Sequence, residues 1–196
     1  MIGLGVAGTL PANTVTLVGR NNSNLTALVS DYSLAGQDFI FTLTSVNGAL
    51  AFGSITSVGF NFSDNAAINA ATLVSSTDSH YTLADGPIAA NATGLAATLD
   101  FALLTGPNFN GGGNPNNGIT PGQSATFDVR ANFGGLSADQ IAESVVARFQ
   151  NGTPTQSDVA TYGNIVQSNT APEPGTYVLL GLGLIALGVL GRKRKG

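Results

Sequence analysis

Ser124-Ala125-Thr126-Phe127-Asp128-Val129-Arg130-Ala131-Asn132-Phe133 (SATFDVRANF) decides the fold. Phe127, Val129, Ala131 and Phe133 share one parity, and Thr126, Asp128, Arg130 and Asn132 take the other. Successive side chains of a strand point to opposite faces, so this alternation predicts a strand with one buried and one wet face. Working outward, Ile55 to Ser63 (ITSVGFNFS) alternates through Val58, Phe60 and Phe62, and Asp38 to Thr44 is rich in aromatic and β-branched residues. Shorter runs of the same kind are Thr14 to Val18, Leu25 to Val29, His80 to Leu83, Thr98 to Leu104 and Ser144 to Gln150. Gly, Asn, Asp and Pro separate them, as turn chemistry requires. Eight or more such strands predict an all-β domain, and two packed antiparallel sheets, a jelly-roll-like β-sandwich, are the expected way to bury their apolar faces.

One short helix is expected near 137–145. Ser137 can cap it, and Asp139 and Gln140 fall in the first turn, where an acidic group is favoured. Asn108 to Gly122 (NFNGGGNPNNGITPG) reads as a loop, because Gly and Asn tolerate positive φ and no apolar run interrupts them.

Composition excludes several classes of function. Four of the seven basic residues sit in the last five positions, leaving Arg20, Arg130 and Arg148 against ten acids before Pro172, a charge near −7. A polyanion such as nucleic acid requires the opposite balance. Charged residues make up 9% of the chain, far below the roughly 25% of ordinary soluble domains; Asn, Thr and Ser supply the polarity instead. With no cysteine, disulfides, thiolate catalysis and thiolate metal sites are ruled out.

Candidate chemistry is sparse. His80 is the sole histidine; Asp78 and Ser79 stand beside it, but neighbours along a strand face opposite ways and do not assemble a triad. One histidine without cysteine does not make a zinc site. The acids are scattered singly, with no motif for a glycosidase pair. The Asn108–Gly118 loop contains no acid to hold calcium. Gly111-Gly112-Gly113 lacks the Lys-Ser/Thr of a phosphate-binding loop. Neither a catalytic residue nor a cofactor is expected.

The last 25 residues are more specific. Pro172-Glu173-Pro174 is followed by an uncharged apolar segment, Thr176 to Gly191 (TYVLLGLGLIALGVLG), and then by Arg192-Lys193-Arg194-Lys195. The prolines stop upstream structure, the apolar stretch favours lipid, and the basic residues resist translocation and hold the end at the cytoplasmic face. At 1.5 Å per residue the segment spans roughly 24 Å, short of the ~30 Å hydrocarbon core. Gly181, Gly183, Gly188 and Gly191 make it a mediocre soluble helix. A sorting tail with a transmembrane helix over 176–191 is the reading adopted, against a plain anchor or a core element.

This tail resembles the PEP-CTERM sorting signal of exported proteins from Gram-negative bacteria that make extracellular polysaccharide. The resemblance implies that Pro172, Glu173 and Pro174 are the motif recognised by the membrane enzyme exosortase. It likewise implies that Tyr177 to Leu190 is the membrane segment and that Arg192, Lys193, Arg194 and Lys195 are the basic stop. The organisation expected is therefore residues 1–13 as a signal-peptide remnant or first strand, 14–150 as the β domain, 151–171 as a polar linker and 172–196 as the tail. The function expected is that of a non-enzymatic exported protein, held transiently in the inner membrane and then placed at the cell surface or in a biofilm matrix, with exopolysaccharide as a partner. Two alternatives stay open. One is a carbohydrate-binding or adhesive module using exposed Tyr32, Tyr81 and Tyr162; the other is a hydrolase acting on polysaccharide.

Overall fold

A computed structural model describes residues 13–46, 53–62, 68, 70–91, 95, 97–111, 113–150 and 157–162. The chain divides into two units, Met1–Asn164 and Ile165–Gly196, and all described residues belong to the first. Among the described residues are ten strands: β1 Thr14–Gly19, β2 Thr26–Ala35, β3 Asp38–Val46, β4 Ser54–Phe60, β5 Thr72–Ser76, β6 Thr82–Ala90, β7 Ala97–Leu104, β8 Ser124–Arg130, β9 Val145–Gln150 and β10 Ser157–Tyr162. Among the described residues there is one α-helix, α1 Ala138–Glu143, which precedes β9.

The all-β expectation holds, but the two-sheet sandwich does not. All ten strands form one antiparallel sheet in the order β5-β8-β3-β2-β1-β10-β9-β4-β7-β6. Its edge strands β5 and β6 approach each other, and the Asp85 carboxylate on β6 accepts from the backbone N–H groups of Ala70 and Ala71, just before β5. The sheet is therefore nearly barrel-shaped. The reason lies in β10. Without it the order would break into β5-β8-β3-β2-β1 and β9-β4-β7-β6, the two halves of a sandwich. β10 pairs with β1 on one side and β9 on the other and joins them. This strand lies inside the stretch 151–171 read as a linker, so the domain continues at least to Tyr162.

Curling a sheet this far needs local irregularity. Register shifts interrupt β2–β3 at Ser30/Ser33, β4–β9 at Ile55/Ser57, β5–β8 at Leu73/Ser75 and β6–β7 at Asp85/Ile88. Bulges sharpen twist and bend. At the first of them Asp31 adopts φ 51°, a left-handed conformation that Asp tolerates better than most residues.

On β8 and β3 the alternating residues behave as their pattern requires, whereas β4, expected to keep one wet face, is buried along its whole length. Phe127 and Val129 on β8, Phe39, Phe41 and Leu43 on β3 and Phe60 on β4 are all fully buried. Phe60 joins the halves: its ring lies 5.6 Å from that of Phe41 and 4.5 Å, stacked, from that of Phe101 on β7. Ser137 caps α1 as expected, its hydroxyl accepting from the Gln140 N–H while the Gln140 side chain accepts from the Ser137 N–H. That helix delivers Ile141 and Ala142 to the interior.

A smaller apolar cluster, including Leu99, Leu104, Phe109, Val146 and Val159, lies apart from the main core, which explains why β4 and β9 are buried almost throughout. Phe109 comes from the segment read as a plain loop. It packs close to Gly59, where an added Cβ would sit 2.3 Å from Leu99 and 3.1 Å from Phe109, so only glycine lets this covering approach the sheet.

Candidate functional site: a polar cleft

Among the described residues, a cleft of about 440 Å³ is lined by residues 77–80, between β5 and β6, together with 116–120, Gln123 and Ser124, at the start of β8. Both walls are built by short-range polar contacts. In the first, the Ser76 hydroxyl donates to the Asp78 carbonyl (2.8 Å) and accepts from the Asp78 N–H (3.0 Å). Thr77 ties this wall to β8: its N–H donates to the Thr126 carbonyl (3.0 Å) and its hydroxyl accepts from the Thr126 N–H (2.9 Å).

In the second wall, the Asn114 side chain accepts from the Asn116 N–H (3.0 Å) and caps a single 3-10 turn, Pro115–Asn117. A proline at the first position suits such a turn because its missing donor is not needed there. Ile119 then pairs with Ile55 through two backbone hydrogen bonds. Gly118 beside it passes so close that a Cβ would stand 2.5 Å from the Ile55 carbonyl oxygen.

Tyr81 braces the floor. Its side chain is buried, its hydroxyl donates to the Ile55 carbonyl, and burial pushes its pKa well above the ordinary tyrosine value. The T-shaped contact of its ring with Phe127, 5.1 Å between centroids, connects the cleft to the core.

Asp78 and His80 come together here. The His80 ring Nδ1 lies 2.8 Å from Asp78 Oδ1, which also accepts from the His80 N–H at 3.0 Å. Residues 77–80 form a turn rather than the strand expected, and β6 begins at Thr82. Asp78 and His80 are two residues apart and would share a face even on a strand, with Ser79 opposite; the turn brings the two side chains within hydrogen-bond distance. The side chains remain accessible, 53% for His80 and 22% for Asp78. Such a pair orients an imidazole, and the cleft otherwise offers only hydroxyls, amides and backbone groups.

The tyrosines expected at the surface divide unevenly. Tyr32 and Tyr81 are buried, whereas Tyr162 is exposed. Tyr32 donates to Asp139 at 2.8 Å, and burial followed by that bond pushes its pKa up to about 12. No group of three or more His, Cys, Asp or Glu side chains among the described residues is arranged to hold a metal ion.

Pro172, Glu173, Pro174 and Arg192 to Lys195 lie outside the described residues, as do the segments 1–12 and 176–191. Among the described residues, no helix is long and apolar enough to cross a membrane.

The fold and cleft define a ten-stranded, barrel-like β domain with a shallow polar site. Comparison with known proteins adds the class of its tail: the family of the PEP-CTERM protein-sorting motif matches residues 170–195. The chain thus carries this sorting motif at its C-terminus, in agreement with the resemblance drawn from Pro172, Glu173, Pro174 and the basic cluster. It has the marks of an exported protein sorted by its C-terminal tail. Neither the curated proteins nor the solved structures contain a match.

Proposed function

We propose that this chain is a non-enzymatic envelope or extracellular-matrix protein. Its β domain is delivered across the inner membrane, and its tail is removed near Pro172-Glu173-Pro174 by an exosortase. The observation that carries this reading is the sorting motif at residues 170–195. The basic cluster supports the orientation, because Lys and Arg flanking a short apolar segment stay on the cytoplasmic side. A segment of ~24 Å suits a temporary station better than a permanent anchor. The acidic, lysine-free body suits life outside the cell and no nucleic-acid partner.

Mass spectrometry of the surface-exposed protein from an exosortase-bearing host tests this. The expected product ends near Pro172–Pro174. The Glu173→Ala chain should insert in the membrane as before, since the apolar run is unchanged, but retain its tail. Recovery of wild-type surface protein with residues 176–195 still attached would make the tail a plain anchor.

A further inference from the structure

We propose that the cleft between residues 77–80 and 116–124 binds a neutral, polyhydroxylated ligand: a short stretch of an uncharged polysaccharide. This names a ligand for the domain and rests on the non-enzymatic reading above. A volume of about 440 Å³ lies within the usual range of roughly 300–1,000 Å³ for small-molecule sites. The chemistry of the lining then narrows the choice.

Among the described residues no Lys or Arg lines the cleft. Its one potential cation, His80, is engaged by the Asp78 carboxylate, and the body as a whole is acidic. A phosphate, sulfate or uronate would arrive without a counter-charge. An aromatic or lipid-like ligand would find no apolar plate, because Tyr81 and Ile119 are buried beneath the surface. The groups presented are the amides of Asn116, Asn117 and Gln123 and the hydroxyls of Thr77, Thr120 and Ser124. Each amide offers two donors and an acceptor, and each hydroxyl serves as both. That is the complement of adjacent hydroxyls on a sugar ring.

The surface beside the cleft continues in the same chemistry. Ser124 lines the cleft and shares a 2.8 Å hydrogen bond with Thr44. The register sets Thr14, Ser30, Thr42 and Thr126 side by side across four strands, with Thr16, Leu28, Thr44 and Ser124 in the next row on the same face. Rows repeat every ~7 Å along the strands and columns every ~4.8 Å across them. Ser30 is buried and Leu28 is apolar, so a polymer seated in the cleft would extend over the hydroxyls of Thr42, Thr44, Ser124 and Thr126 and, beyond them, Thr14 and Thr16.

Calorimetric titration of the full chain in mild detergent tests the assignment. The probes are cellohexaose, maltohexaose and mannohexaose as neutral sugars and an alginate hexamer as the anionic one. Saturable binding of at least one neutral hexamer is expected. The paired substitution Asn116→Ala and Gln123→Ala alters two exposed side chains and should weaken that binding at least tenfold at an unchanged melting temperature. Gln37→Ala, exposed beyond the opposite end of β8, should leave it unchanged. Absence of binding to every neutral probe, binding of alginate alone, or wild-type affinity in the paired variant would each overturn the proposal. Chromatography of the recovered sugar separates the two readings: shortened chains would support the ligand class and overturn the non-enzymatic reading, while intact sugar without binding would overturn only the ligand class.

Discussion

Arg148 is the residue whose environment is hardest to reconcile with its chemistry. It sits on β9 opposite Val159 of β10 and Ser57 of β4 and is only 3% exposed. Its Nε and Nη1 find no partner among the described residues, and burial lowers its pKa. An unpaired buried charge costs stability, whereas an apolar chain of similar length there is often neutral or better. Arg148→Met should therefore stabilise the protein by about 1 kcal/mol or more in urea denaturation; a loss of that size would mean that the guanidinium is paired after all. Tyr32 and Tyr81 make a second residue-scale case. Both have pKa values raised by burial, so the fold favours their neutral forms. Their contribution is fully present below the unfolded value of about 10 and is lost as pH climbs through the folded values, about 12 for Tyr32. Unfolding free energy should decline above pH 10, less steeply in the double Tyr32→Phe, Tyr81→Phe variant. Equal slopes for the two proteins would contradict the assignment.

At the scale of elements, the informative case is β10. Eight strands and the helix were readable because their apolar residues are large and evenly spaced, as in Phe39, Phe41 and Leu43 or Phe127 and Val129. Ser157-Asp158-Val159-Ala160-Thr161-Tyr162 has only Val159 as a large aliphatic residue, yet four of its six residues are buried. Its burial follows from its place between β1 and β9, which local pattern does not encode. β5 escaped for the opposite reason: as a mostly exposed edge strand with a register shift, it has no face that needs to be apolar. The cleft was half-legible. Asp78 and His80 were singled out, but their convergence depends on the turn that Ser76 organises. The 116–124 wall contains no residue that announces binding. Asp158 adds to the weight of β10 by accepting from the backbone of Asn21 and Asn22 (2.9–3.2 Å) and from the Asn21 side chain (3.1 Å). A chain ended at Asn151 should therefore lose the cooperative thermal transition that one ended at Asn164 retains, as followed by circular dichroism. Two identical melting curves would show that β10 is dispensable.

For the β domain as a whole, one continuous sheet means that its two halves share the main core, with only the smaller cluster around Leu99 and Phe109 standing apart. Phe60 stacks on Phe101 within one half and contacts Phe39 and Phe41 in the other, so the two should unfold together. Among the described charged residues, Arg148 and Asp158 are buried and the others lie nearer the surface. The Arg130–Asp38 pair, with contacts of 2.6 and 2.9 Å, lies at the surface, and the guanidinium holds the Asp38 carboxyl below its usual range. Surface ion pairs of this kind add little to stability, and the domain relies on its aromatic interior. The position of β10 also bears on mechanics. Whatever grips the C-terminal end, traction on this domain enters through Tyr162 and runs along a strand paired on both flanks: three residues against β1 and five against β9. Pulled along its own axis, such a strand bears the load in shear, with its hydrogen bonds resisting in parallel, whereas an edge strand can be peeled away one bond at a time. The end by which the protein would be towed is thus fastened to the middle of the sheet.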